Sequence, residues 1–280
     1  MQKQYEVLRR ASLFLEKNSR EPKVAEILLM HHLGVSRSAF FARMREPVPE
    51  SVRQRLEEDI RKHAETGIPV QHLTGYEYFY GRKFLVNEHV LIPRPETEEL
   101  VLAVIDEVKT MKEPVIADIG TGSGVIGVTL ALELEQAAVF ATDLSKQALA
   151  VAEKNAERLG ASISFLQGDF LQPLFGYQDQ VNVLVSNPPY IAKAEAASLS
   201  DTVKNFDPSL ALFADENGLR AYKQIIHDAK LFPKLKLLAF EIGETQGQAV
   251  SELVAHVFPE SNVHIRKDMN GKDRIVLAHL

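Results

Sequence analysis

Four residues, Asn187, Pro188, Pro189 and Tyr190, directly follow an apolar run, Val181 to Val185, that reads as a buried strand. Two prolines remove two backbone donors and fix φ at both positions, so the strand cannot continue through them. What remains is a rigid corner rich in acceptors: the Asn187 side-chain oxygen and the Pro188 carbonyl, with the Tyr190 ring as a flat face beside them. Such a corner can hold a planar –NH2 group, one N–H directed to each oxygen. Pro-Pro alone would read as an ordinary turn. Asn before it and Tyr after it, at the carboxyl end of a buried strand, point to a binding site.

A second group lies upstream. Asp118-Ile119-Gly120-Thr121-Gly122-Ser123-Gly124 joins an apolar strand, Val115 to Ile119, to a helix over 125–134. Its glycines let the backbone turn tightly and approach a ligand closely. The loop lacks the lysine of a nucleotide-phosphate loop, and Ser123 does not have the Gly-x-Ser-x-Gly spacing of a nucleophile elbow. Asp143 ends the next strand, 19 positions beyond Gly124, where a carboxylate can accept both hydroxyls of a ribose. Because a helix follows, Asp143 could equally be a helix N-cap. Gly168-Asp169-Phe170 ends the third strand, where an acid and an aromatic ring could bracket an adenine. These residues predict an adenosine-bearing ligand. NAD would satisfy them too; the Asn-Pro-Pro-Tyr corner separates the two cases.

The elements that must position these residues alternate. Strands over 115–119, 139–142, 163–166, 181–185 and 235–242 are interleaved with helices, including one over 146–159. This predicts an α/β fold with a mostly parallel, Rossmann-like sheet covered on both faces. Near the end, runs at 263–266 and 274–278 flank Asn270-Gly271, a hairpin signal, so the sheet should finish in an antiparallel pair. The polar stretch 191–215 follows the corner directly and suits a lid or substrate-contacting loop. The first third is helical in pattern, with Tyr5, Leu8, Ala11 and Leu15 at helical spacing, Ser36 as an N-cap and Pro49 opening a helix towards His63; Gly67 and Pro69 close this series of four or five helices. Aromatic and β-branched residues then predict a hairpin about Gly81-Arg82. The expected division is a helical bundle over 1–74, a hairpin connector over 75–95 and a catalytic domain over 96–280.

Bulk composition narrows the function classes. The 280 residues contain no cysteine, which excludes disulfides and thiolate metal sites. No stretch is long and apolar enough to span a bilayer, and the N-terminus has no signal-type apolar core, so a cytoplasmic protein without membrane association is expected. Net charge is −6, unevenly spread: residues 1–75 hold 13 basic and 10 acidic groups, so the acidic excess lies in the remainder. That balance argues against a stable nucleic-acid partner. A monomer is expected.

Taken together, the acidic-Gly-x-Gly-x-Gly turn, Asp143 and the Asn-Pro-Pro-Tyr corner resemble the class I S-adenosylmethionine-dependent methyltransferases in order and spacing. A narrower resemblance covers nearly the whole chain. Gly67-Ile68-Pro69-Val70-Gln71-His72-Leu73-Thr74-Gly75, Leu91-Ile92-Pro93-Arg94-Pro95-Glu96-Thr97-Glu98, Asp207-Pro208-Ser209-Leu210-Ala211-Leu212-Phe213 and Met269-Asn270-Gly271-Lys272-Asp273-Arg274 are similar to the HemK-type peptide chain release factor N5-glutamine methyltransferases. The resemblance implies S-adenosylmethionine as cofactor, held by Gly120, Thr121, Gly122, Ser123, Gly124, Asp143, Phe170 and Asn187. It implies that Asn187, Pro188, Pro189 and Tyr190 hold the acceptor, with Asn187, Pro188 and Tyr190 catalytic. It also implies the target, the glutamine of the Gly-Gly-Gln motif in bacterial release factors, and a substrate-recognition role for the helical bundle.

Other residues stay open at this level. His31-His32 is tempting as a metal pair, but adjacent helical residues diverge and nothing else joins them, so a packed or solvated role is expected. Glu241, polar within an apolar strand, is either a buried hydrogen-bonded acid or a site residue. Arg94, between two prolines, could lie near the cofactor or form an interdomain salt bridge. The rival function is methylation of an exocyclic amino group on a nucleic-acid base, which uses the same corner; a second is a cofactor-sensing module without catalysis.

Overall fold

The computed structural model describes residues 2–192, 194 and 201–280. The chain divides into two compact units: one comprises residues up to Tyr76 together with a short helix at 201–206, the other the remainder.

The first unit is helical. Helices α1 (Gln4–Lys17), α2 (Lys23–Leu33) and α4 (Glu50–Thr66) bury Val7, Ala11 and Leu15, then Val24, Ala25, Leu28 and Leu29, then Val52, Leu56 and Ile60. Spacings of three and four put each set on one face, so the three stripes meet in a shared core with Phe40 from α3 (Arg37–Ala42). Ser36 caps α3 by accepting from the Ala39 N–H. Gly34 and Gly67 end α2 and α4 in the left-handed conformation. The helical series does not close at Pro69 as the pattern suggested: Pro69 opens a further short helix, α5 (Val70–Thr74), the position where a residue with no N–H costs least. His32 pairs with Asp59 at 2.8 Å, and no metal-holding cluster exists among the described residues.

The hairpin β1 (Tyr76–Phe79) and β2 (Arg82–Leu85) turns at Tyr80-Gly81, one residue earlier than expected. Both have positive φ (51° and 71°), the requirement of a tight two-residue hairpin turn, and glycine takes the second place.

The second unit is built on a seven-stranded sheet in the order β10-β11-β9-β6-β3-β4-β5. Strands β3 (Val115–Ile119), β4 (Ala138–Asp143), β5 (Ser164–Gln167), β6 (Val183–Ser186) and β9 (Leu237–Glu241) run parallel. The closing pair, β10 (Asn262–Lys267) and β11 (Asp273–His279), is antiparallel. Its loop is longer than the Asn270-Gly271 pair, because the Asp268 carboxylate gathers the Asn270 and Lys272 N–H groups and widens the turn. β6 begins two residues later than its apolar run, since Asn182 turns its side chain to the Val115 N–H.

Central strands are buried on both faces, which accounts for their unbroken apolar character. Ile116, Val183, Val185, Leu237 and Ala239 face a core shared with α6 (Pro95–Val108), α7 (Val125–Glu133), α8 (Lys146–Leu159) and the hairpin's Phe79 and Phe84. Ala117, Ile119, Leu184, Leu238 and Phe240 face the opposite core, with Tyr222, Ile225 and Ile226 of α11 (Arg220–Ala229) and Val250 and Val254 of α12 (Gly247–Val257). The stretch expected to be an irregular loop forms short elements where it is described: β7 (Ile191–Ala192), α9 (Asp201–Phe206), α10 (Ser209–Leu212) and β8 (Phe213–Ala214). Residues 193 and 195–200 of that expected lid lie outside the described residues.

One buried side chain ties three segments of this unit together. Asn155 on α8 donates to the carbonyls of Leu85 and Ser123 at 3.0 and 2.9 Å and accepts from the Leu85 N–H at 2.7 Å. Replacing it by alanine leaves these backbone groups without that partner, so Asn155→Ala should destabilise the protein by roughly 2–4 kcal/mol in urea denaturation. A loss under about 0.5 kcal/mol would show that water replaces the amide without penalty.

Candidate active site at the carboxyl edge of the sheet

The strand order places β3 at the point where the chain reverses direction across the sheet, with β4 and β5 on one side and β6 and β9 on the other. Loops leaving the carboxyl ends at such a point diverge and open a crevice. Here the crevice is a cavity of about 790 Å³, all of it within the second unit, a volume suited to a nucleoside-sized ligand.

The wall above β3 is the glycine turn, with Gly120, Thr121, Gly122 and Ser123 lining the cavity. Gly120 and Gly122 have φ of 73° and 56°, and a Cβ on either would meet no atom within 4 Å, so the peptide faces open space. Gly124, φ 84°, does not line the cavity; a Cβ there would lie 3.0 Å from the Ala152 Cβ, so its part is to let α7 approach α8. Asp118 holds the turn from beneath. Its Oδ2 accepts from the Thr121 hydroxyl (2.6 Å) and the Gly127 N–H (2.9 Å), while its buried Oδ1 has no partner. Burial pushes this carboxyl up to about 6, against the pull of those two donors.

Asp143 ends β4 and lines the same cavity. The helix that follows is capped by Ser145, whose hydroxyl accepts from the Ala148 N–H, so Asp143 is not the N-cap. Instead Oδ2 accepts from the Gly122 N–H (2.9 Å) and Oδ1 from the Ser145 N–H (2.8 Å). These bonds orient the carboxylate and leave each oxygen a further lone pair. Burial raises its pKa, offset by those two backbone donors and by the Leu144 N–H. Phe170, also lining the cavity, sits at φ 42°, unusual for an aromatic residue, with its carbonyl held by the Thr142 hydroxyl at 3.0 Å.

Asn187, Pro188 and Pro189 line the cavity beyond β6. Tyr190, which follows them, is not among its lining residues. Its ring packs against the core containing Tyr222 and Phe240, and its carbonyl accepts from the Gln246 side chain at 3.0 Å. A Cβ at Gly218 would come within 2.0 Å of that carbonyl, so only glycine fits there.

Thr97 and Glu241 carry a connection that motif spacing missed. Asn187 Nδ2 donates to Thr97 Oγ1 (3.3 Å), and Thr97 Oγ1 donates to Glu241 Oε2 (2.7 Å). Thr97 and Glu241 are 3% and 1% exposed, so two buried polar groups stand behind the half-buried Asn187. The one available signal was an acid at the end of an apolar strand, and nothing in the sequence names its partner. Arg94 also lines the cavity, 3.8 Å from Asp207, and both belong to the second unit, so this ion pair is not an interdomain bridge.

With this geometry in view, comparison with known proteins decides the family. The family model described as the PrmC N-terminal domain matches residues 6–75, and that of the methyltransferase small domain matches residues 97–206. The chain is 43% identical over 280 residues to the release factor glutamine methyltransferase of Bacillus cereus, covering 99% of each, and 43% identical to that of Bacillus subtilis, covering 98% of this chain and 96% of the relative. The chain belongs to the release factor glutamine methyltransferase family. Solved structures support the fold alone. The human METTL16 catalytic domain in complex with MAT2A 3′UTR hairpin 6 gives a TM-score of 0.57 at 18% identity, covering 82% of this chain and 81% of that one. The N-terminal domain of human METTL16 in complex with SAH gives 0.52 at 17% identity, covering 89% of each.

Within this methyltransferase, burial lifts Glu241 to about 7, opposed by the Thr97 hydrogen bond and the charges of Arg274 and Arg94 and assisted by Glu96. The folded protein therefore keeps a proton that the unfolded chain, with an ordinary value of 4.5, has released. That contribution to stability is complete below about pH 4.5 and is lost as pH rises through about 7. Glu241→Gln should abolish it, removing on the order of 3 kcal/mol of stability change across that window in denaturation curves taken at a series of pH values. An unchanged slope would mean that Glu241 titrates like an exposed carboxyl.

Proposed function

We propose that this protein transfers the methyl group of S-adenosylmethionine to the side-chain amide nitrogen, N5, of the glutamine in the Gly-Gly-Gln motif of bacterial peptide chain release factors. The observation that carries the reading is the full-length match to release factor glutamine methyltransferases in a chain whose Asn187-Pro188 corner shares one cavity with Asp143. The residues fit the cofactor: an oriented carboxylate with spare lone pairs suits a ribose diol, the glycine turn offers open backbone, and Phe170 offers a ring for the adenine. Gly120, Thr121, Gly122, Ser123, Asp143, Phe170 and Asn187 would hold it, with Gly124 acting through the helix packing behind the turn. When bound, S-adenosylmethionine supplies an electrophilic methyl group on a sulfonium.

The chain's own residues then address the acceptor. An amide nitrogen is a poor nucleophile because its lone pair is delocalised into the carbonyl. Asn187 Oδ1 and the Pro188 carbonyl accept the two N–H bonds of the glutamine amide and bias the nitrogen towards a pyramidal shape. Those bonds strengthen as positive charge develops on nitrogen, so they favour the transition state over the ground state. Pro189 stiffens the corner. Tyr190 supports it from the core side, through its ring packing and its Gln246-held carbonyl, while the corner positions the acceptor. No strong base is required, because the nitrogen becomes acidic once it has formed its fourth bond.

The helical unit serves substrate recognition, and the protein acts in the cytoplasm, where its release factor substrates function, as a monomer without a stable nucleic-acid partner. The acidic excess of the catalytic part supports the last point. Among the described residues no helix is long and apolar enough to cross a membrane.

Incubation with methyl-labelled S-adenosylmethionine and a release factor should label the Gly-Gly-Gln form and not a Gly-Gly-Ala variant. Equal labelling of both, or of ribosomal RNA instead, would overturn the substrate assignment. Asp143→Ala should weaken cofactor binding by about 10-fold or more, the scale of a lost charged hydrogen-bond partner. Unchanged affinity in calorimetry would remove Asp143 from the ribose role.

A further inference from the structure

Asparagine is a poor choice for a fixed acceptor unless something prevents its amide from turning over. The two ends of the side chain are nearly the same size, and a half-turn about χ2 replaces the oxygen with an –NH2 group. In that orientation donors would face the donors of the acceptor amide, and the corner would repel what it is built to hold.

We propose that Thr97 and Glu241 are positioning residues that set the polarity of the Asn187 amide. The assignment rests on the reading that Asn187 Oδ1 accepts from the substrate. Above about pH 7 Glu241 is ionised, and its carboxylate can then only accept a hydrogen bond. Glu241 Oε2 lies 2.7 Å from Thr97 Oγ1, so the single hydroxyl proton of Thr97 is directed to it. The Thr97 oxygen is then left with lone pairs alone on its other side, where Asn187 Nδ2 lies at 3.3 Å. An amide –NH2 satisfies that oxygen, whereas an amide oxygen would meet it lone pair to lone pair. Burial excludes water that could otherwise mediate the wrong pairing, since Thr97 and Glu241 are almost wholly inaccessible. The unused end of the Asn187 amide is therefore its oxygen.

The elements hold this chain without adjustment. Glu241 follows Phe240 at the end of β9, and Asn187 follows Ser186 at the end of β6; Ser186 and Phe240 are paired in the parallel register. The two polar residues thus leave adjacent strand ends at the same level. Thr97 reaches between them from the first turn of α6, the segment opened by Pro95. Thr97 also borders the cavity, so a direct contact with the cofactor is the competing role.

A double-mutant cycle distinguishes these roles, with single-turnover rates and cofactor affinities measured at about pH 8.5, where Glu241 is ionised. Thr97→Val keeps the shape and removes the hydroxyl. It should lower the methyl-transfer rate by about 10-fold with cofactor affinity within about 2-fold of the parent, and Thr97→Ser should recover most of that rate. Asn187→Ala alone should cost about 10²-fold, the scale of a lost transition-state contact. Adding Thr97→Val to Asn187→Ala should cost nothing more, because Thr97 acts through Asn187. If Thr97→Val does not fold, Thr97→Val with Glu241→Met removes both buried partners together and should show the same rate loss and the same silence in the Asn187→Ala background.

Additive losses in the double variant, a full rate in Thr97→Val, or an affinity loss that accounts for the whole effect would each overturn the positioning role. A near-normal rate in Asn187→Ala would instead overturn the reading of the corner on which that role rests.

Discussion

The parallel pairing of β6 between β3 and β9 is the interaction on which the site depends. It sets Ser186 beside Ile119 on one side and Phe240 on the other. Everything that leaves those strand ends does so at one level: the glycine turn after β3, the Asn-Pro-Pro corner after β6 and Glu241 closing β9. A shift of one residue in this register would reverse the face of every side chain on the moved strand. The buried alternation of Val183, Val185, Leu237 and Ala239 on one face with Leu184, Leu238 and Phe240 on the other opposes such a shift. The chemistry therefore inherits its geometry from two hydrophobic cores.

Within that frame the site is arranged by hydrogen-bond polarity more than by charge. Asp118 and Asp143 accept from backbone and hydroxyl donors of the turns they hold. Glu241 accepts from Thr97, and Thr97 from Asn187. Burial, nearly complete for Asp118 and Glu241 and partial for Asp143, raises the pKa of each carboxyl and makes its hydrogen bonds matter to the fold. Orientation is thus passed from buried acids to the groups that face the cavity.

Much of this was legible in the residues themselves. The helix expected over 146–159 forms to its ends, but Ser145 and Gly160 cap it, not the Asp143 that the sequence offered as an N-cap. The glycine turn and the Asn-Pro-Pro corner were readable because each encodes a backbone constraint in consecutive residues. Features that depend on partners far along the chain were not. Thr97 and Glu241 stand 144 positions apart and meet only because α6 crosses the end of β9. The seat of Tyr190 depends on Gln246 and on a core assembled from α11 and β9. Asn182 cut its strand short by bonding to Val115, 67 positions earlier. Even the hairpin turn moved by one residue, because Tyr80 accepts a positive φ that its side chain would not advertise.

The most direct test of the central claim is a crystal structure with S-adenosylhomocysteine and a peptide carrying Gly-Gly-Gln. The account predicts the glutamine amide nitrogen within hydrogen-bond distance of both Asn187 Oδ1 and the Pro188 carbonyl, with Asn187 Nδ2 still on Thr97. A glutamine bound elsewhere, or an Asn187 amide turned to present its nitrogen to the peptide, would contradict it.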